Sequence, residues 1–160
     1  CGALQRDIRL GDLIFVQGAV RDEGTSKTYI DTIYPAVPDY ELMNACVQAA
    51  AEENIPYHVG LARSHDSFYT DREDEIDAKW SNNGVLGSDM ETAALFVIGR
   101  LRGIKTASIL NTVVEYEDNL EDNINNYTDG AALTVQGEKN EIHAALDAFH
   151  KISKIKVREE

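Results

Sequence analysis

Three short apolar segments, separated by helical patterns, constrain the fold of this chain most. Each is rich in β-branched residues or bounded by Gly and Pro, which is typical of strands, and they are Leu13 to Val20, Tyr57 to Ala62 and Thr106 to Val114. Strands that alternate with helices predict an α/β fold with a mixed, mostly parallel central sheet flanked by helices. No repeat or linker interrupts the sequence, so we expect residues 1–160 to belong to one domain.

Helical patterns follow each of these strands, and the predicted helices are Tyr40 to Glu53, Asp89 to Arg102 and Gly137 to Lys154. Asp39 is the expected N-cap of the first helix. Ser88 and Glu91 have the spacing of a capping box at the start of the second. The third helix carries an apolar stripe that we expect to dock on the sheet, formed by Ile142, Ala145, Leu146, Phe149 and Ile152.

The charge of the chain excludes one class of partner. Fifteen basic and 28 acidic residues give a formal net charge of −13, which repels the phosphate backbone of a nucleic acid. No apolar stretch is long enough to cross a membrane, and no signal-peptide pattern is present. We therefore expect a cytoplasmic protein that binds neither nucleic acid nor membrane.

Metal and cofactor sites are not predicted. Cys1 and Cys46 lack metal-ligand spacing and are expected to be free thiols. The acidic runs Asp71 to Asp77 and Glu115 to Asp122 lack the spacing of a calcium loop, so we interpret them as solvated faces. Walker, GxGxxG and nucleophile-elbow motifs are also missing, so covalent catalysis and triphosphate chemistry have no support.

Two segments combine residue types that suit a binding site. Ser67-Phe68-Tyr69 presents two aromatic rings, and the segment from Gly87 to Ala94 places Asp89, Met90 and Glu91 at a predicted helix start. Residue types alone favour structural interpretations, which are core packing for the rings and the capping box for the helix start.

Several strings of residues nevertheless stand in an order and spacing that point to one family. They are Cys1-Gly2-Ala3, Gly11-Asp12, Arg21-Asp22-Glu23-Gly24-Thr25-Ser26, Tyr34-Pro35-Ala36, His58-Val59-Gly60, Asp66-Ser67-Phe68-Tyr69 and Asp89-Met90-Glu91. Over nearly its whole length the chain resembles the nucleoside phosphorylase family of uridine phosphorylases and hexameric purine nucleoside phosphorylases. The resemblance implies an enzyme that cleaves a nucleoside with inorganic phosphate as co-substrate and without a cofactor.

The resemblance also implies roles for the two specific segments. Phe68 would lie against the base and Met90 against the ribose, while Glu91 would accept hydrogen bonds from the 2′ and 3′ hydroxyls. Asp89 stands near the sugar, where the family usually has Glu. Nucleoside cleavage develops positive charge on the sugar, so a carboxylate fixed on its hydroxyls helps most in the transition state.

The chain departs from the family pattern in three places. The family's glycine-rich phosphate loop and a second arginine are expected upstream of Cys1, so we expect this C-terminal part of the enzyme to be inactive alone. A Gln-x-Arg reader of uracil is missing, and Arg72 either reaches a pyrimidine carbonyl or neutralises its acidic neighbours. Glu115 stands where purine enzymes carry an Asp that protonates the base, and it either imitates that Asp or faces solvent.

Together these features predict a divergent uridine phosphorylase. Its predicted catalytic residues are Glu91 and Glu115, and its predicted substrate-binding residues are Phe68, Arg72, Asp89, Met90 and Glu91. The 22 positions from Phe68 to Met90 are closer to the purine enzymes, so a purine or broad-specificity phosphorylase is the alternative. A non-catalytic remnant is the second alternative. The resemblance further implies a homo-oligomer, either a dimer or a trimer of dimers.

Overall fold

A five-stranded mixed sheet lies at the centre of the computed structural model, which describes residues 1–118, 120–128 and 131–159. In the spatial order β1-β4-β3-β2-β5, the three central strands are mutually parallel and the outer two are antiparallel to their neighbours. The strands are β1 (Gly2–Ala3), β2 (Leu13–Asp22), β3 (Tyr57–His65), β4 (Val85–Asp89) and β5 (Ile109–Asn111). The predicted α/β fold is therefore confirmed.

The sheet curls until its two outer strands meet. Gly2 in β1 forms a parallel bridge with Val114, which follows β5. The backbone N–H of Ala3 donates to the carbonyl of Val114 at 2.8 Å, and the N–H of Val113 donates to the carbonyl of Cys1 at 2.9 Å. Backbone hydrogen bonds thus link the strands into an almost continuous ring.

Helices cover both faces of this sheet. The described helices are α1 (Tyr40–Glu52), α2 (Glu73–Asn82), α3 (Thr92–Leu101), α4 (Leu120–Thr128) and α5 (Ala132–Glu159), with a short 3-10 helix at Ser26–Thr28. Leu13 and Phe15 of β2 pack in a core with α1 and α5, whereas Ile14 and Val16 pack in a second core with α3. Burial on both faces explains why the first four residues of β2 form a continuous apolar run.

Several predicted elements are confirmed. Helix α1 begins after Asp39, whose carboxylate accepts a hydrogen bond from the backbone N–H of Leu42 at 3.0 Å. The first two predicted strands exist and run further than expected, to Asp22 and His65. The third predicted strand is shorter than expected and corresponds to β5. After β5 the chain leaves its partner β2 and reaches β1 at Val114.

Other elements do not follow from the sequence patterns. Strand β4 and helices α2 and α4 were not predicted, and residue 119 of the second acidic run lies outside the described residues. Helix α2 forms in the first acidic run and has no fully buried residue. Glu73, Asp74 and Glu75 occupy its first turn, where carboxylates interact favourably with the helix dipole.

The apolar stripe expected to dock α5 is mostly exposed, so that prediction is wrong. Ala144 and Ala148 are buried against α1 instead, since small side chains let the two helices approach closely. The side chains left at least about half exposed are Ile142, Leu146 and Phe149. Although α5 has 28 residues, no helix in the described part of the chain combines the length and apolar character needed to cross a bilayer.

Gly137 lets α5 cross the sheet at close range. A Cβ atom at this position would overlap Oδ1 of Asn111 and would lie 2.8 Å from Cα of Gly11. Gly11 itself has a φ of 83°, a conformation that other residues rarely adopt. The two glycines therefore fix the position of α5 against β5.

Candidate active site

A cleft of about 1370 Å³ opens at the carboxyl ends of the three parallel strands. Asp22 at the end of β2, His65 at the end of β3 and Asp89 at the end of β4 all line it. The segment from Val113 to Asp118, which follows β5, contributes further lining residues. Ligands of open α/β sheets bind in the crevice beyond the carboxyl ends of parallel strands, so this cleft is the candidate active site.

The cleft brings together most of the residues predicted from the sequence. Phe68 follows β3, and Asp89 to Glu91 end β4 or follow it, so neighbouring parallel strands deliver both segments to one edge of the sheet. The predicted residues that line the cleft are Phe68, Asp89, Met90, Glu91 and Glu115. Arg72 is not among the described residues that line it.

Asp89 holds the start of α3. Its Oδ2 accepts hydrogen bonds from the backbone N–H groups of Thr92, at 2.7 Å, and Glu91, at 3.3 Å. Its Oδ1 accepts a hydrogen bond from the hydroxyl group of the buried Ser64 at 2.6 Å. The hydroxyl oxygen of Ser64 in turn accepts a hydrogen bond from the backbone N–H of Ala93 at 2.9 Å. Asp89 and Ser64 together satisfy N–H groups that a helix start leaves unpaired.

The predicted capping box is therefore wrong. Ser88 lies within β4 and pairs with Gly2 and Arg63, so its backbone is extended. Glu91 occupies the N-cap position of α3, but its side chain makes no capping hydrogen bond. Among the described residues, its carboxylate has one hydrogen-bond partner, the N–H of Met90 at 3.2 Å. Glu91 is exposed to the cleft, and its carboxylate is free to accept bonds from a ligand.

Replacing Asp89 with alanine should destabilise the domain by about 1–3 kcal/mol, because α3 loses its cap and the Ser64 hydroxyl loses a buried acceptor. The melting temperature should fall by roughly 3–10 °C for a domain of this size. Asp89→Asn keeps one acceptor oxygen and should lose less stability. Asp71→Ala, at an exposed position, should change the stability little. Thermal unfolding of the three variants checks this. An unchanged melting temperature for Asp89→Ala would contradict a capping role.

The two aromatic rings next to β3 are not core residues. Phe68 is 40% exposed and Tyr69 is 74% exposed, and their ring centroids are 4.9 Å apart in an edge-to-face arrangement. The interpretation of these rings as core packing is therefore wrong. Tyr69 supports one edge of the Phe68 ring while both residues line the cleft, so Phe68 can present a flat apolar surface to a ligand.

Glu115 is already engaged by the loop between β1 and β2. Its Oε1 accepts the backbone N–H of Leu10 at 3.1 Å, and its Oε2 accepts Nη1 of Arg9 at 3.2 Å. Its side chain is 25% exposed, so it neither simply faces solvent nor offers a free carboxyl group. The catalytic role of Glu115 remains a prediction, and it would require these bonds to be exchanged.

Arg72 is paired within its own acidic segment. Its Nε and Nη2 donate to the two carboxylate oxygens of Glu75 at 2.9 and 2.8 Å, and both side chains are 68% exposed. Of the two interpretations left open for Arg72, the structure matches the one in which it neutralises acidic neighbours. The physical reason is local: helix α2 begins at Glu73 and places Glu75 within reach of Arg72.

The sequence prediction misses several polar residues of the cleft, of which Arg63 and Asn111 are buried. Arg63 is the one that carries a charge. Its side chain is 10% exposed, and its Nε donates to Oδ2 of Asp22 at 2.8 Å. Its guanidinium carbon lies 5.9 Å from the ring centroid of Trp80 in α2. The available signal was an arginine following the apolar run Val59 to Ala62, at the carboxyl end of a parallel strand.

Two titratable groups beside Arg63 have shifted pKa values. Burial, followed by the charge of Arg63, lowers the pKa of His65, so its imidazole is neutral at pH 7. Burial, followed by repulsion from Glu73, raises the pKa of Asp77 to about 6. Asp77 is therefore mostly ionised at pH 7 but takes up a proton in mildly acidic solution.

The cleft is strongly acidic. Among the described residues, eleven carboxyl groups line it and a single arginine does. No group of three His, Cys, Asp or Glu residues in the described ranges is arranged to hold a metal ion. The negative field favours a ligand that carries or develops positive charge and disfavours a free anion.

The sequence of this chain is similar to those of several known proteins. The sequence profile of the phosphorylase superfamily matches residues 1–152. A guanosine phosphorylase from Halorubrum lacusprofundi is 39% identical over 109 residues, which are 68% of this chain and 45% of that protein. A uridine phosphorylase from Treponema pallidum is 35% identical over 119 residues, covering 68% of this chain and 46% of that protein.

A solved structure shares the fold. The crystal structure of a uridine phosphorylase from Vibrio fischeri ES114 superimposes with a TM-score of 0.84 at 45% identity, covering 94% of this chain and 60% of that one. The chain thus spans about half the length of the curated relatives it matches and three fifths of this solved relative. The expected resemblance to nucleoside phosphorylases is confirmed over nearly the whole chain.

Proposed function

This chain belongs to the phosphorylase superfamily, and from that premise we propose that it carries the nucleoside site of a phosphorylase whose preferred substrate is uridine. In the proposed reaction, an oxygen of inorganic phosphate attacks C1′ of the ribose and the C1′–N bond breaks. The electron pair leaves with the base, which takes up a proton. The products are uracil and ribose 1-phosphate, which makes the reaction a step of nucleoside salvage that uses no cofactor.

The observation that carries this proposal is an exposed aromatic ring and an uncommitted carboxylate in one cleft. Phe68 offers a flat surface for the base, and Glu91 offers two oxygens for the ribose hydroxyls. Positive charge grows on the ribose as the C1′–N bond breaks, so the carboxylate binds the transition state more tightly than the ground state. The acidic lining of the cleft acts in the same direction.

Phosphate is proposed to be held mainly by groups outside these 160 residues. A dianion must be fixed close to C1′, and local donors have to overcome the field of the surrounding carboxylates. Apart from Arg63, no arginine or lysine among the described residues lines the cleft. Relatives are about twice as long as the part they share with this chain, which leaves room for a phosphate loop elsewhere in the protein.

Uridine is preferred to a purine nucleoside because of the state of Glu115. A purine leaving group gains from protonation at its imidazole nitrogen, which requires a carboxylic acid at close range. Both oxygens of Glu115 are bound to Arg9 and Leu10, so the acid expected at that position is not free. Uracil instead leaves with its charge spread over carbonyl oxygens, and it needs hydrogen-bond donors rather than an acid.

A purine nucleoside phosphorylase is the second candidate. Asp77, whose pKa is raised to about 6, lines the cleft and can supply a proton near neutral pH. The relative from Halorubrum lacusprofundi is named for guanosine, while the two others carry the name uridine phosphorylase. By the same resemblance, we extend the proposal to a cytoplasmic homo-oligomer, a dimer or a trimer of dimers.

Activity assays of the full-length protein with a panel of nucleosides test the proposal. With saturating phosphate, we expect kcat/KM for uridine to exceed that for inosine and adenosine, and we expect base release to stop when phosphate is omitted. Base release, measured by absorbance or chromatography, gives kcat/KM for each of the three nucleosides. A tenfold or larger preference for inosine or adenosine would support the purine candidate instead. Release that is independent of phosphate would contradict phosphorolysis by either candidate.

A further inference from the structure

We propose that Arg63 recognises the base, and that it selects nucleosides whose base carries an exocyclic carbonyl where other bases carry an amino group. Uridine and inosine belong to the selected class, and cytidine and adenosine do not. This inference rests on the proposed function and deepens it, since it names the chemical group on the substrate that one side chain of the cleft reads.

Arg63 is held in place before any ligand arrives. Its side chain is 10% exposed, its Nε is bound to Asp22, and its guanidinium lies over the indole of Trp80. A buried arginine with one carboxylate partner and one aromatic partner keeps its charge and loses little conformational freedom on binding. Arg72, by contrast, is exposed, paired with Glu75, and outside the cleft.

Arg63 retains hydrogen-bond donors that no described residue uses. No described residue accepts a hydrogen bond from Nη1 or Nη2, and Asp22 takes only the Nε–H. Neither terminal nitrogen is among the fully buried polar atoms that lack a partner, so both keep some accessible surface, and Arg63 lines the cleft. A guanidinium in a nine-tenths buried position, with unpaired donors beside an open cleft, points to a ligand that accepts hydrogen bonds.

Arg63 is close in the sheet to both segments that are proposed to bind the nucleoside. It lies in β3, five residues before Phe68, and it pairs with Ser88 of β4, directly before Asp89. Side chains of paired residues in neighbouring strands lie on the same face of a sheet, and Arg63 and Ser88 both line the cleft. Arg63, Phe68 and Glu91 line the same cleft, so we expect a base that lies on Phe68 while its ribose contacts Glu91 to come within reach of Arg63.

The chemistry of the guanidinium then selects the base. Arginine only donates hydrogen bonds, so it binds a carbonyl oxygen and is left without an acceptor opposite an amino group. As the C1′–N bond breaks, the electron pair delocalises onto that carbonyl oxygen, and the bond to a fixed cation strengthens. His65, neutral at pH 7, adds no competing charge beside it.

The test compares paired substrates in the full-length protein. Uridine and cytidine differ at C4 of the base, and inosine and adenosine differ at C6, so each pair exchanges a carbonyl for an amino group. Arg63→Met keeps the aliphatic stem against Trp80 and removes the charge. We expect it to lower kcat/KM for uridine at least tenfold and to reduce the uridine-to-cytidine and inosine-to-adenosine ratios by a similar factor. Arg100→Met, at an exposed position of α3 that does not line the cleft, should leave both ratios unchanged.

Each outcome decides the question. Unchanged ratios in a folded Arg63→Met variant would overturn the proposal, and a raised KM for phosphate with unchanged ratios would show that Arg63 holds phosphate. If Arg63→Met does not fold, the same substrate ratios are measured for Arg63→Lys, which retains the positive charge but not the planar guanidinium group. If the wild-type protein turns over no nucleoside, the proposed function fails. Calorimetric binding of uridine and cytidine then tests the role of Arg63. A preference for uridine that the Arg63→Met variant loses would support the proposal, and no preference for uridine would overturn it.

Discussion

Replacing Glu91 with glutamine in the full-length protein should lower kcat/KM for nucleoside phosphorolysis by well over tenfold, more than about 1.4 kcal/mol in transition-state binding. The carboxylate is expected to bind the ribose hydroxyls most tightly when positive charge develops on the sugar, and an uncharged amide cannot match that. Stability should change little, because Asp89 and Ser64, rather than Glu91, cap α3. Steady-state kinetics and thermal unfolding, measured together, separate the two effects.

A matched control for this variant is Glu73→Gln, which removes a second carboxylate from the lining of the same cleft. Glu73 stands at the start of α2, so its loss reduces the negative field without removing a group next to Met90. We expect the control to keep kcat/KM within a few fold. Near-normal turnover by Glu91→Gln, accompanied by a drop of ten degrees or more in melting temperature, would show that Glu91 serves the fold instead.

The isolated 160 residues should release no base from uridine in a phosphate-dependent manner, whereas the proposed function predicts such release for the full-length protein. With eleven carboxyl groups and one arginine, the described lining of the cleft repels a phosphate dianion. Circular dichroism of the fragment has to show folded protein, so that absence of activity is not simply absence of structure. Phosphate-dependent base release by this folded fragment would contradict the inference that the phosphate site lies elsewhere.

The sequence predicted the fold well where burial alone determines structure. Leu13 to Val16 pack on both faces of the sheet, so their continuous apolar run predicts β2 without further information. Helix α1 is similarly predictable, because Asp39 both caps it and marks its start. Helix α2 has no fully buried residue, so it leaves no apolar periodicity in the sequence and was missed.

The candidate site was predictable only in part, for a related reason. The Phe68 and Met90-Glu91 segments were identified through the family resemblance, and they meet at one edge of the sheet because they follow the parallel strands β3 and β4. The misassignment of Ser88 to a helix start hid β4, and with it the role of Asp89 as the cap. Arg63 was missed because the predicted second strand stopped one residue short of it, at Ala62.

The closure of the sheet between Gly2 and Val114 has a mechanical consequence for the cleft. Strands that are joined by backbone hydrogen bonds in an almost complete ring resist widening, since several bonds would have to break together. Helix α2, on the other side, buries none of its residues completely and is linked to the sheet through contacts such as Trp80 with Arg63. We therefore expect the wall formed by the joined strands to be the more rigid one, and α2 to move first when a larger ligand binds.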